Sequence, residues 1–267
     1  MTRAALVARK YAAAAGAGLR NKLAYLPTFF GTSLSYGLFV FVFSRIWTAV
    51  YAGKATIAGY DAAMSVWYFA VAELPVFGFG RFFWTLAQDM KSGQVAYLLC
   101  RPYSFVLYHY AERMGPALLE LCILVAEGLI IAWGAIGAPP IASAPRAAAV
   151  LVSLLAAGSI QFFLQFSIAM TAFWFEENAP FYWIYQKLSL VIGTLLPIEF
   201  LPEAAQKIAW WTPFPALSYV PARLFVAWDG SDPARLLAFQ GFWLAASAAI
   251  CFLVFRLGSA KLTVQGG

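Results

Sequence analysis

Carboxylates standing inside apolar runs are the first residues in this chain that could do chemistry. Glu73, Glu120 and Glu127 all lie in stretches with few other charges, where an ionised side chain costs several kcal/mol in hydrocarbon unless it is paired or turned to water. Glu73 precedes Pro75, Gly78 and Gly80, which interrupt helical hydrogen bonding. Glu120 and Glu127 stand seven residues apart and so share a helix face. Gln161 and Gln165 form an i, i+4 pair. Such groups can line a substrate path or relay protons, or they can be hydrogen-bonded glue between helices. Both readings stay open for Glu73; glue is the stronger one for the others.

Catalytic constellations are poorly represented. The single histidine, His109, has Glu112 and Arg113 within one helical turn. A metal centre needs further ligands at suitable spacing, and nucleophilic catalysis needs a base beside a nucleophile. A mutually satisfied polar cluster accounts for His109 better. No stretch matches G-x-x-x-x-G-K-[ST], so the chain should not bind ATP by that motif. Cys100, Cys122 and Cys251 are odd in number and lack metal-site spacing, and read as small hydrophobes rather than a disulfide framework.

The elements that must position these residues follow from composition. The chain has 267 residues, 63% of them hydrophobic and 11% charged, with mean hydropathy +0.74. A soluble domain carries roughly 25% charged residues and cannot hide this much apolar surface. The expected fold class is an all-α integral membrane protein with six transmembrane helices, as a single transmembrane domain over 1–267. Spans need about 20 apolar residues each. They are expected near 25–50, 62–84, 103–137, 146–175, 181–197 and 236–257. In the third, Gly115-Pro116 is expected to divide an interfacial part from the crossing.

Three segments do not span. Residues 1–24 hold Arg3, Arg9, Lys10, Arg20 and Lys22 in an Ala-rich frame and read as an interfacial helix. Residues 85–102 are polar with one apolar side and read as a short cytoplasmic helix. Residues 198–234 are rich in Pro, Trp and Phe and read as broken helices at the outer interface, with Trp210, Trp211, Tyr219 and Trp228 at headgroup level.

The net charge of +6 reflects basic loops facing the cytoplasm rather than a nucleic-acid partner. With both termini inside, nine basic residues (Arg3, Arg9, Lys10, Arg20, Lys22, Lys91, Arg101, Arg256, Lys261) fall on the inner side. Five (Lys54, Arg146, Lys207, Arg223, Arg235) fall on the outer. The acidic 176–180 turn should then also be inside, a mild inconsistency because acidic residues weigh little in this rule. Lys187 and Arg45 are expected to snorkel to the inner and outer interfaces.

Ser92-Gly93-Gln94 followed by Leu98-Leu99-Cys100-Arg101-Pro102 resembles the S-G-x-x-x-x-L-L-x-R-P signature of ABC-2 type permeases, in the branch of short six-span subunits. Leu196-Pro197 through Leu201-Pro202, Trp211-Thr212-Pro213-Phe214 and Pro221 resemble that family's proline-rich stretch between the fifth and sixth spans. The layout of the whole chain agrees. The resemblance implies the transmembrane half of an ABC exporter in a bacterial inner membrane, both termini cytoplasmic. Its partners would be two separate ATPase chains and a second permease chain, identical or related, with membrane lipid around them. The chain would carry no cofactor; ATP and Mg²⁺ would be bound by the ATPase. Residues 85–99 would form the coupling helix, with Gln88, Asp89, Lys91, Gly93 and Arg101 holding the ATPase. The 198–234 segment would form re-entrant extracellular helices. The substrate path would run near the first, second and fifth spans, with Tyr36, Phe39, Glu73, Phe77 and Tyr185 as candidates. The cargo expected is amphipathic or lipid-like, moved by alternating access. The rival reading is a proton-coupled secondary transporter using Glu73; it would often show two similar halves, and no clear internal repeat is visible.

Overall fold

The computed structural model describes residues 3–80, 82–92, 95, 101, 103–141 and 143–262. Among these the regular secondary structure is helical, apart from one isolated bridge between Ile57 and Tyr60. In chain order the helices are α1 (Arg3–Ala24), α2 (Leu26–Val50), α3 (Ala62–Gly78), α4 (Phe82–Lys91), α5 (Phe105–Ile136) and α6 (Ala144–Met170). They continue with α7 (Ala179–Leu188), α8 (Glu203–Trp210), α9 (Phe214–Leu217), α10 (Tyr219–Val226) and α11 (Pro233–Leu262). Five stretches among the described residues are long and apolar enough to cross a membrane: Phe30–Val50, Ala62–Lys91, Phe105–Ile136, Ala144–Phe173 and Pro233–Lys261.

Local chemistry explains the ends. Asp61 caps α3 by accepting from the Met64 N–H at 2.7 Å, and Ser104 caps α5 by accepting from the Leu107 N–H at 3.4 Å, each satisfying one of the orphan donors of a first turn. Pro75 is tolerated inside α3, but the helix stops three residues later, at Gly78, and Gly80 takes a left-handed φ of +60°, open to glycine without a Cβ penalty. α4 therefore starts at Phe82, earlier than the polar segment expected from residue 85.

Gly115-Pro116 does not divide the third span. α5 runs unbroken for 32 residues, about 48 Å at 1.5 Å per residue, so it outreaches a ~30 Å hydrocarbon core. The reason is α1. Gly18 lies against the Glu112 carbonyl and Gly115 against Ala15, so Pro116, which deprives that carbonyl of its usual donor, is packed over by a neighbouring helix instead of opening into a hinge.

The core has two parts. One joins α2, α3, α5 and α10 around Tyr36, Trp67, Phe69 and Phe225. The other joins α4, α6, α7 and α9 around Phe83, Phe166, Tyr182 and Met170. Aromatic stacking fixes the register of α4: Phe83 lies parallel to Tyr182, 4.3 Å between centroids, a geometry worth about 0.5–1.5 kcal/mol beyond area burial.

Contacts sort the molecule into two ends. At one end α4 meets the turn after α6 through Lys91–Glu177 at 2.8 Å. Lys261 of α11 lies over Trp174 at 5.5 Å, and Tyr11 of α1 accepts from the Ser104 N–H at 3.3 Å. At the other end the 51–61 loop meets the 198–230 segment through Tyr60, Glu199, Tyr219 and Arg223. α7 starts from the α4 end. It continues as a six-residue π-helix, Ser189–Thr194, whose Gly193 carbonyl accepts from the Tyr68 hydroxyl at 3.3 Å.

Candidate functional site: a cavity between α4 and the spanning helices

A cavity of about 1150 Å³ lies between α1, α2, α3, α4, α5, α6 and α7. That exceeds the 300–1,000 Å³ typical of small-molecule sites. Near the α4 end its wall carries Asp89, Tyr108, His109 and Glu112. Further along α5 it carries Arg113 and Glu120, faced by Lys22 of α1. Its apolar wall is aromatic, with Phe39, Phe77, Phe82, Tyr182 and Tyr185, and its neutral polar wall includes Gln161, Gln165, Gln186, Ser189 and Thr194. Amides and hydroxyls offer both donors and acceptors without a fixed charge, beside aromatic faces that accept apolar groups. This arrangement can hold an amphipathic molecule.

The charges on the wall are held mainly by each other. Glu120, with a side chain 3% exposed, meets Lys22 at 2.7 Å and Arg113 at 3.5 Å. Arg113 also donates through Nε to the Phe79 carbonyl at 3.0 Å. His109 approaches Glu112 at 3.4 Å through Nδ1 and packs edge-on against Phe105, 4.5 Å between centroids. So the expected His109–Glu112–Arg113 cluster is split: Arg113 turns to the break between α3 and α4, and only His109 and Glu112 pair. Glu127 instead accepts from Ser33 at 2.7 Å, which ties α5 to α2.

Of the five residues expected on a substrate path, Phe39, Phe77 and Tyr185 line the cavity. Phe39 and Phe77 contact each other edge-to-face at 5.7 Å. Tyr36 and Glu73 lie behind the wall, 0% and 2% exposed. The Tyr36 hydroxyl donates to the Ala70 carbonyl at 2.9 Å and packs against Gly128. Of the residues expected to hold an ATPase, Gln88, Lys91 and Arg101 are exposed and Asp89 borders the cavity. Arg101 donates to the Tyr103 hydroxyl at 3.3 Å. Gly93, with much of the Ser92–Pro102 signature around it, lies outside the described residues. Lys187 also borders the cavity.

Sequence reasoning assigned Gln165 a gluing role without finding its target. Its amide bridges the break: Oε1 accepts from the Phe83 N–H and Nε2 donates to the Gly80 carbonyl, both at 3.2 Å. The i, i+4 spacing from Gln161 marked a polar stripe on α6; nothing local could reveal that the stripe meets a gap in another helix.

At the opposite end, burial and the neighbouring Glu199 carboxylate push the Tyr60 and Tyr219 phenols well above their usual range, and both donate to that carboxylate. Among the described residues no group of three or more His, Cys, Asp or Glu side chains could hold a metal.

A family model described as ABC-2 family transporter protein matches residues 36–266. No curated protein matches the chain. The matched region contains all five long apolar stretches but the first few residues of one, and the whole cavity wall apart from α1 and the start of α2. The chain thus belongs to the ABC-2 transporter family, as a multi-pass membrane permease.

Proposed function

We propose that this permease forms the translocation path of an ATP-driven exporter for an amphipathic or lipid-like cargo, working by alternating access. The observation that carries the proposal is the cavity itself. It is walled by aromatic and neutral polar side chains and bordered by α4, the short helix that exposes Gln88 and Lys91 at one end of the molecule. In this reading α4 docks a separate ATPase through Gln88, Asp89 and Lys91, assisted by Gly93 and Arg101. Two ATPase chains bind ATP and Mg²⁺, and a second permease chain completes the path. The α4 end faces the cytoplasm of a cell with the chain in its inner membrane. A swing from mostly inward to mostly outward states needs about 5.5 kcal/mol of differential binding, which the partner must deliver through α4.

The proton-coupled alternative is not favoured, because Glu73 does not border the cavity and the family is one of ABC transporters. The test is a mild-detergent pull-down of the tagged chain from its native membrane, followed by mass spectrometry. A stoichiometric ATPase bearing a Walker motif is the expected result, and a second permease in the eluate distinguishes a heterodimer from a homodimer. A chain that elutes alone and monodisperse overturns the proposal.

A further inference from the structure

The gap between α3 and α4 frees backbone groups, and side chains from two other spanning helices take three of those among the described residues. The Phe79 carbonyl accepts from Arg113 Nε at 3.0 Å. The Gly80 carbonyl accepts from Gln165 Nε2, and the Phe83 N–H donates to Gln165 Oε1, each at 3.2 Å. One amide thus spans the gap with both of its ends, matching an orphan acceptor at the end of α3 to an orphan donor at the start of α4. The fit leaves little slack. Gly80 has φ +60°, and a side chain there would collide with the Arg113 guanidinium. Gly158, on α6, makes room for the buried Phe79 ring. Beyond the gap the network continues from Arg113 to Glu120 and on to Lys22 of α1. Lys22, Gly80, Arg113, Glu120 and Gln165 all border the cavity.

We infer that Gln165 and Arg113 are positioning residues for transport: they clamp the α3–α4 gap so that a displacement of α4 carries the α5 and α6 walls of the cavity with it. The inference rests on the reading of α4 as the ATPase-docking helix. These side chains bond to the non-helical Phe79 and Gly80 carbonyls on one side of the break and to the first turn of α4, at Phe83, on the other, where a change of angle must either break them or be transmitted.

The experiment uses the permease with its co-purifying ATPase in inside-out membrane vesicles. Cys100, Cys122 and Cys251 are replaced by Ala, and Ser35, on the cavity wall, is replaced by Cys as the reporter. The probe is a membrane-impermeant maleimide, and its reaction rate is compared without nucleotide and after trapping with ATP and vanadate. The reference chain is expected to change its rate at least tenfold. Gln165→Leu keeps the bulk and removes both bonds; Arg113→Lys keeps a cation beside Glu120 and loses the guanidinium donor to Phe79. Each is expected to change less than twofold while vanadate still traps nucleotide in the partner. Arg113→Lys keeps the test decisive if Gln165→Leu fails to fold.

A full tenfold response in either variant overturns the inference and leaves the exporter reading standing. Failure of both variants to assemble with the ATPase also overturns the inference, since the role would then be structural, and a reference chain that traps nucleotide with no change at Ser35 overturns both the inference and alternating access at this cavity. A reference chain without any co-purifying ATPase overturns the inference and the exporter reading together.

Discussion

Glu199 is the acceptor around which the far end of the bundle is organised. The Tyr219 hydroxyl donates to it at 2.7 Å and the Tyr60 hydroxyl at 3.1 Å, while Arg223 stands 3.6 Å away and donates to Tyr60 at 2.7 Å. The 51–61 loop is thereby tied to the 198–230 segment by polar bonds as well as by the packing of Tyr60 against Tyr68 and Phe200. Tyr219→Phe removes one charge-assisted bond and is expected to cost about 1.5–3 kcal/mol, read as a lower thermal midpoint of the detergent-solubilised permease. The same cluster sets a pH dependence. Both phenols are raised above their usual range by burial and by Glu199, whereas an unfolded tyrosine ionises near pH 10. Above that pH the unfolded chain releases protons that the folded chain retains, so stability is intact below about pH 10 and falls as pH rises past it. Thermal midpoints at pH 9 and pH 11 should therefore differ, and by less in Tyr60→Phe and Tyr219→Phe; an unchanged difference in both variants would remove the assignment.

Helices meet here through small residues, as expected where lipid offers no hydrophobic drive between them. Gly158 on α6 admits the Phe79 ring, and Gly128 on α5 admits Tyr36. Gly158→Ala forces a methyl into the ring position and should cost about 1–3 kcal/mol, visible as weaker retention of the monodisperse peak on heating, whereas Gly134→Ala, with open space around it, should be silent. Much of the element order was legible, because apolar length is a local property: the long stretches follow from it, the break follows from Pro75, Gly78 and Gly80, and Phe39, Phe77 and Tyr185 were candidates through the family resemblance. Lateral partners were not. Pro116 is an ordinary helix breaker until α1 packs over it, and Arg113 looks like a neighbour of His109 until a gap eighty residues' worth of chain away from Gln165 draws both to the same backbone. The start of α4 was missed for a related reason: Phe82, Phe83 and Trp84 are as apolar as a span, and only their packing against Tyr182 and Phe166 places them in the next helix.

Sidedness joins these parts into one molecule. α1, α4, the 174–178 turn and Lys261 share an end, through Tyr11–Ser104, Lys91–Glu177 and Lys261–Trp174. The acidic turn that sat awkwardly in the charge count pairs with Lys91 of that end. The beginning of α1 and the end of α11 both lie there, so the expected number of crossings is even, whereas five stretches are long and apolar enough to cross among the described residues. An expected sixth crossing would fall to α7 with its π-helical continuation, ten residues and six, about 24 Å at helical rise. That is short of a ~30 Å core, and the proline-broken 198–230 segment that follows folds back onto Tyr60 and Tyr68. The expected topology is thus six crossings with both ends in the cytoplasm, where the larger share of Lys and Arg would lie. Fusing a fluorescent protein after Lys261 should give a bright signal, and alkaline phosphatase fused after Ser231 should be active. Fused after Glu177, the phosphatase should be inactive. An active Glu177 fusion would place the acidic turn outside and reduce the crossings before it to an odd number. Lys91 and α4 would go with the turn to the outer face, beyond the reach of any cytoplasmic ATPase.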